Sequence, residues 1–179
     1  SFLGFAQDTL QTPDAFLGYP LGSQFTRHHQ VIDYVEYLAE QSPYAQTKSY
    51  GKTYEGRTLQ LVYLSAPENL AQLESLRKDH LRSIGYETGE RETTQEFSVV
   101  WLSYNVHGNE STSTEAALKT LHTLVTEKQE WLKNLIVILD PCINPDGRDR
   151  YVNWYNQVKS TPFDTSPTAN EHFEEWPGG

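Results

Sequence analysis

The spacing of apolar residues predicts two helices and a strand pair in the first half of the chain. Within residues 27–42 the apolar positions recur every three or four residues, which predicts an amphipathic helix. Thr26 can cap this helix and Pro43 ends it. Two pieces rich in strand-favouring residues follow within 47–66, on either side of a glycine-containing turn. A second helix is predicted over 67–84.

The second half has the pattern of a strand, a helix and a second strand. Residues 97–106 form a nearly unbroken apolar run, which predicts a strand that is covered on both faces. A helix is predicted over 111–131, where Thr112 and Glu115 have the spacing of a capping box. Residues 134–144 predict another buried strand. The pattern indicates an α/β fold with a βαβ crossover and a sheet flanked by helices.

The remaining segments predict an arm, a turn and loops. Residues 1–26 contain prolines and glycines among aromatics, and they predict an ordered but irregular arm that precedes one domain over 27–179. Residues 85–96 are polar and predict a surface loop. Asn144, Pro145, Asp146 and Gly147 predict a turn, and the last residues predict a loop.

Composition and charge exclude several classes of function. The chain has 179 residues and a net charge of -10, which argues against nucleic-acid binding because that needs basic patches. No apolar stretch approaches the ~20 residues of a membrane span. The single cysteine, Cys142, forms no intrachain disulfide and is interpreted as a small buried hydrophobe. The chain lacks methionine, which fits either removal of a signal peptide or trimming.

The segment SYNVHGNEST carries the main candidate chemistry. His107 and Glu110 stand three residues apart, between a predicted strand and a predicted helix, where open α/β sheets build their sites. Imidazole and carboxylate are both good zinc ligands, and a catalytic zinc needs about three protein ligands. The alternative is that the short pattern is a coincidence, with Glu110 as a first-turn acid and His107 as an ordinary loop histidine.

The other histidines are weaker candidates for metal binding. His28 and His29 are predicted to be exposed on the first helix, and His80 is predicted to be solvated. His122 lies beside the apolar stripe of its helix, which favours packing. His172 is a remaining candidate ligand, although its acidic surroundings also fit a surface loop.

The chain resembles the zinc carboxypeptidases related to carboxypeptidase A in three motifs that occur in the same order. They are GKTYEGRTL, HGNE after a buried strand, and NPDG after the next strand. The resemblance covers the chain from about Gly22 onward and implies the amino-terminal part of that catalytic domain. It implies a mixed sheet of the zinc-dependent exopeptidase type, a zinc cofactor, peptide or protein substrates and release of C-terminal residues. It also suggests a secreted or periplasmic protein.

The resemblance carries specific roles to five residues. His107 and Glu110 match the first two zinc ligands of the family. Asn144 lies in the turn that shapes the substrate cleft. Arg150 or Arg148 would polarise the scissile carbonyl, although their spacing departs from the pancreatic-type members and either arginine could lie on the surface instead. The turn that contains Gly51, Glu55, Gly56 and Arg57 is expected to be structural.

The third zinc ligand, the general base and a late tyrosine of the family have no counterpart here. We therefore expect the chain alone to have no peptidase activity, or very weak activity, and to self-associate through exposed apolar surface. Two alternatives stay open, a non-catalytic pseudoenzyme or binding module and an amidohydrolase of small N-acyl amino acids. The coding sequence after Gly179 distinguishes an enzyme from a module.

Overall fold

The computed structural model describes residues 10–93 and 97–175. The α-helices in these residues are α1 (Pro13–Leu17), α2 (His28–Gln41), α3 (Pro67–Leu70), α4 (Leu73–Ser83), α5 (Thr112–Thr126) and α6 (Pro145–Val158). The strands are β1 (Ala45–Lys52), β2 (Thr58–Leu64), β3 (Ser98–Ser103) and β4 (Leu135–Asp140). Two short 3-10 helices cover Gln129–Lys133 and Asn170–His172.

The strands of the described residues form one mixed sheet in the order β1-β2-β4-β3. β1 pairs with β2 and β2 with β4 in antiparallel orientation, whereas β3 and β4 are parallel. The segment β3-α5-β4 is therefore the predicted βαβ crossover. The predicted α/β class, a mixed sheet flanked by helices, is confirmed.

The hydrophobic core lies between one face of the sheet and helices α2 and α5. Tyr34 and Leu38 of α2, Leu118 of α5, and Leu64 and Leu139 of the sheet are all fully buried in it. The apolar stripes that predicted both helices point into this core, because a helix buries the face on which its apolar residues recur.

The opposite face of the sheet is only partly covered by α4. An apolar groove remains between α4 and the strands, with Val99, Trp101, Ile136 and Ile138 in its lining. β3 is an edge strand among the described residues, and Val100 and Trp101 are 37% and 57% exposed. The prediction that this strand is covered on both faces is therefore wrong for the structure described.

Several predicted boundaries and caps differ in the structure. The arm contains the short helix α1, and residues 1–9 lie outside the described residues, as do 94–96 of the predicted loop and 176–179 of the last one. The helix predicted over 67–84 is divided into α3 and α4. Helix α5 ends at Thr126, before the predicted 131.

The side chains that were predicted to cap helices are used elsewhere. Arg27, and not Thr26, is the N-cap residue of α2, and Ser111 is the N-cap residue of α5. Thr26 and Glu115 instead bind each other inside the protein. No described helix has the length and apolar composition that crossing a bilayer requires.

Candidate metal centre

The HGNE segment forms a tight loop between β3 and α5. The chain turns sharply at Asn105, which has a left-handed φ of 58°. Glu110 N donates to the carbonyl oxygen of His107 at 3.1 Å, which closes a turn between the two candidate ligands. Both side chains are exposed. The two residues therefore stand at the carboxyl end of a parallel strand, as the sequence predicted.

The HGNE loop packs directly against the NPDG segment. A Cβ atom added at Gly108 would lie 2.2 Å from the carbonyl carbon of Gly147, so only glycine fits at this contact. Asn144 Nδ2 donates to the carbonyl oxygen of Val106 at 3.1 Å. Two motifs that are far apart in sequence therefore form one structural unit.

The NPDG segment begins helix α6 and is not a separate turn, which corrects the sequence-based expectation. Asn144 is the N-cap residue, and its Oδ1 accepts a hydrogen bond from Gly147 N at 3.0 Å. Pro145 occupies the first helical turn, where its missing N–H costs nothing. The expectation of a turn was wrong because Asn, Pro and Asp are common both in turns and at the start of helices.

The GKTYEGR turn is bound to the start of α6 through charged groups. Arg57 Nη1 donates to Asp146 at 2.7 Å and Arg57 Nε to Asp149 at 2.8 Å. Thr53 Oγ1 donates to Asp146 at 2.7 Å. Burial alone would raise the pKa of Asp146, but the hydrogen bonds from Thr53 and Arg57 outweigh it and lower the pKa. These contacts agree with the structural role expected of this turn.

Arg148 is fully buried beneath the HGNE loop. Its guanidinium donates to Glu115 Oε1 at 2.7 Å, to the Ser111 carbonyl at 2.7 Å and to the Thr26 carbonyl at 2.7 and 2.9 Å. A fifth hydrogen bond, of 3.0 Å, reaches Asn105 Oδ1. The side chain has no accessible surface from which to reach a substrate, and it is not the surface arginine of the alternative interpretation.

The other two predicted substrate-facing residues, Arg150 and Asn144, differ in whether their side chains are available to bind a ligand. Arg150 is half exposed, and its Nη2 lies 3.4 Å from Glu55 Oε1. The side-chain amide of Asn144 is occupied by its bonds to Val106 and Gly147. Of the two predicted arginines, Arg150 is therefore the one with surface available for a ligand.

A second carboxylate touches the HGNE loop from outside. Asn109 Nδ2 donates to Glu174 Oε2 at 3.0 Å. Glu174 Oε1 is buried and has no hydrogen-bond partner among the residues that the structure describes. The charge of Glu174 also contributes, after burial, to the raised pKa of Tyr151. Sequence reasoning gave no signal for this contact, because residues 109 and 174 are joined only by the fold.

Glu115, Asn105 and Arg148 were missed as partners, although part of the signal was present. Glu115 precedes Leu118 and His122 at helical spacing, so it lies on the buried stripe of α5. Arg148 likewise precedes the buried Val152 by four residues on α6. Opposite charges on two buried helix faces imply a buried pair, because an unpaired buried charge is very costly.

The donor types of the HGNE loop fit zinc, but the set is incomplete. Within residues 10–93 and 97–175, no group of three or more His, Cys, Asp and Glu side chains is arranged to hold a metal. Imidazole and carboxylate are donor types that zinc accepts, and a catalytic zinc requires roughly three protein ligands. The described residues therefore hold part of a candidate metal centre.

The other histidines differ in burial and in their contacts. The prediction that His28 is exposed is wrong: its ring is buried, and Nε2 is 2.8 Å from the Thr58 carbonyl oxygen. Burial lowers its pKa. His29 is exposed as predicted, and His122 is buried as predicted for a packing residue. The His172 ring stacks on Phe163, and its Nε2 lies 3.1 Å from the carbonyl oxygen of Asp164.

Cys142 is buried and free, as the sequence predicted. Burial raises the pKa of its thiol to about 12. Burial thus favours the neutral thiol over the thiolate that a cysteine nucleophile needs.

Comparison with known proteins shows which protein family this chain is similar to. The model of the zinc carboxypeptidase family matches residues 31–170. The carboxypeptidase A of Helicoverpa armigera is 22% identical over 80% of this chain and 29% of its own, with a TM-score of 0.55. Thrombin-activatable fibrinolysis inhibitor is 16% identical over 79% of this chain and 32% of its own, also at 0.55. The chain thus spans about a third of these solved structures, and the likeness to them is one of fold.

Proposed function

This chain belongs to the zinc carboxypeptidase family, and we propose that His107 and Glu110 bind the catalytic zinc of a peptidase. The observation that supports the proposal is the loop that bears them. It lies at the carboxyl end of β3, it presents both side chains to solvent, and it is held against the NPDG segment at Gly108.

The proposed reaction is hydrolysis of peptides with release of C-terminal residues. A bound zinc would lower the pKa of a water molecule toward ~7 and polarise the scissile carbonyl. Of Arg148 and Arg150, the exposed Arg150 would stabilise the oxyanion, and Asn144 would line the substrate cleft. Because a third ligand and a general base were not found in the sequence, we propose that the 179-residue chain alone has little or no activity.

Two measurements test this proposal together: the DNA sequence that follows the codon for Gly179, and an activity assay of the encoded protein. We expect the frame to continue and to encode a further histidine and a late glutamate. The encoded protein should release C-terminal residues from peptides, and chelation or His107→Ala should abolish that release. His29→Ala is the matched control, because His29 is also exposed but lies on α2.

Other outcomes of the same experiment would support a different function. A stop codon after residue 179 would favour a non-catalytic binding module. Preference for N-acyl amino acids over peptides would favour an amidohydrolase. Turnover of a blocked dipeptide by the 179-residue chain, removed by chelation, would contradict its proposed inactivity.

We further propose that the 179-residue chain self-associates through the β3 edge. The support is the exposed, apolar Val100 and Trp101 on a strand that is paired on one side only within the described residues.

We also propose a secreted or periplasmic location for the protein, which fractionation of the source cells tests. Recovery in the cytoplasmic fraction would contradict that location.

A further inference from the structure

We infer that Asn105, held by Arg148, is a positioning residue that sets the geometry of the two candidate zinc ligands. This inference rests on the proposed function, since it assigns a role in forming the same metal site. Neither residue faces solvent: Asn105 is 2% exposed and Arg148 is fully buried. Their effect would therefore act through the backbone of the HGNE loop.

The amide of Asn105 spans the inside of the loop. Its Nδ2 donates to the carbonyl oxygen of His107 at 2.6 Å and lies 3.5 Å from the carbonyl oxygens of Gly108 and Glu110. These three carbonyls belong to the turn that places the two candidate ligands. One side chain therefore contacts the backbone of both ligand residues.

Arg148 fixes which end of that amide faces the loop. A guanidinium group only donates hydrogen bonds, so the atom of Asn105 that faces Arg148 must be the oxygen. The Nδ2 group is then directed toward the loop carbonyls. With Arg148 removed, this orientation of the amide would lose its strongest determinant.

Arg148 is itself rigidly held. Its guanidinium pairs with Glu115, which also accepts hydrogen bonds from Thr26 N at 2.7 Å and Thr26 Oγ1 at 2.8 Å. A buried arginine with five hydrogen bonds has little freedom to rotate. The chain of contacts from Glu115 through Arg148 and Asn105 to His107 is thus continuous and buried up to the loop.

The backbone at Asn105 allows two informative substitutions. Its φ of 58° suits glycine, so Asn105→Gly removes the amide without backbone strain. Asn105→Asp keeps the shape and the acceptor for Arg148 but places an oxygen, in place of Nδ2, against the His107 carbonyl. Asn69→Asp is the matched control, because Asn69 is also fully buried and donates to the Lys133 carbonyl at 2.9 Å.

The experiment uses the protein encoded by the complete reading frame and measures its Zn²⁺ affinity by competition with a chromophoric chelator, together with amide hydrogen exchange of residues 106–110. We expect Asn105→Gly and Asn105→Asp to weaken Zn²⁺ binding about tenfold to a hundredfold. Loss of a residue that holds a metal ligand by hydrogen bonds has an effect of this size in other metalloproteins. Both variants should also speed exchange in residues 106–110. Asn69→Asp should change neither measurement.

Two results would overturn the inference. The first is unchanged exchange of residues 106–110 in both Asn105 variants, which would show that the amide does not order the loop. The second is faster exchange with unchanged Zn²⁺ affinity, in a chain whose Zn²⁺ binding is lost in His107→Ala. If His107→Ala leaves Zn²⁺ binding intact, the proposed function fails instead, and the exchange data alone decide whether Asn105 orders the loop.

Discussion

Gly108 lies against Gly147 so closely that a Cβ atom at Gly108 would meet three backbone atoms of Gly147 within 2.7 Å. This contact joins the HGNE loop to the start of α6. Backbone atoms cannot move aside as a flexible side chain does, so the two segments can approach only through glycine.

Gly108→Ala should therefore displace the loop and destabilise the protein. We expect a loss of about 1–3 kcal/mol in the free energy of unfolding, the usual range for overpacking. Urea denaturation measures it. Val106→Ala is the control, since Val106 is 53% exposed in the same loop. Equal stability of Gly108→Ala and the wild type would contradict the observed contact.

Replacement of Arg148 by methionine should leave the Glu115 carboxylate buried without its counter-ion. Breaking a buried pair in this way costs about 3–5 kcal/mol, and both side chains here are almost fully buried. The double variant Arg148→Met with Glu115→Gln should recover part of the loss, because it removes the unpaired charge. A double variant that is no more stable than Arg148→Met would contradict the pairing.

Asp146 should make the stability of the protein depend on pH in acid. The hydrogen bonds from Thr53 and Arg57 lower its folded-state pKa below the ordinary value of 3.8, against the effect of burial. Its stabilisation is then present above the unfolded-state pKa and is lost as the pH falls through the folded-state pKa. Asp146→Asn should lower stability by about 1–2 kcal/mol near neutral pH.

The measurement compares denaturation of Asp146→Asn and the wild type at about pH 6 and about pH 3, and the difference should shrink at the lower value. Glu74→Gln is the control, because Glu74 lies on α4 and its carboxylate pairs with Arg77 at the exposed surface. A difference between Asp146→Asn and the wild type that grows in acid would contradict the lowered pKa.

Trp101→Glu should reduce self-association of the 179-residue chain. The substitution places a charge on the exposed edge strand, where it opposes pairing with a second copy. Sedimentation velocity of the wild type and the variant measures the change. Trp131→Glu is the matched control, since Trp131 is 61% exposed outside the sheet. A wild type that is monomeric throughout would contradict the proposal.

The fold could be predicted where a local pattern determines the structure. The stripes of α2 and α5 and the apolar run of β4 each reflect one buried surface, and all three elements are present. The exposure of β3 could not be predicted, because the same apolar run fits a central strand and an edge strand. The strand order shows that β3 is an edge strand, since β4 is its one neighbour within residues 10–93 and 97–175.

The motifs of the candidate site could be predicted from the sequence, but the buried residues that hold them in place could not. His107 and Glu110 were predicted as ligands because both lie in one short segment, and their ligand role stays a prediction. Arg148 was assigned a substrate-facing role, whereas its guanidinium donates five hydrogen bonds to groups that are 33 to 122 residues away in sequence. Such distant partners leave no periodic signal.

Zinc binding to the protein encoded by the complete reading frame, and to its His107→Ala and Glu110→Gln variants, is the most direct test of the account. Competition with a chromophoric chelator should show that each substitution weakens Zn²⁺ binding by at least about tenfold, while His29→Ala does not. Binding of Zn²⁺ with wild-type affinity by both variants at His107 and Glu110 would contradict the assignment of this loop as the metal centre.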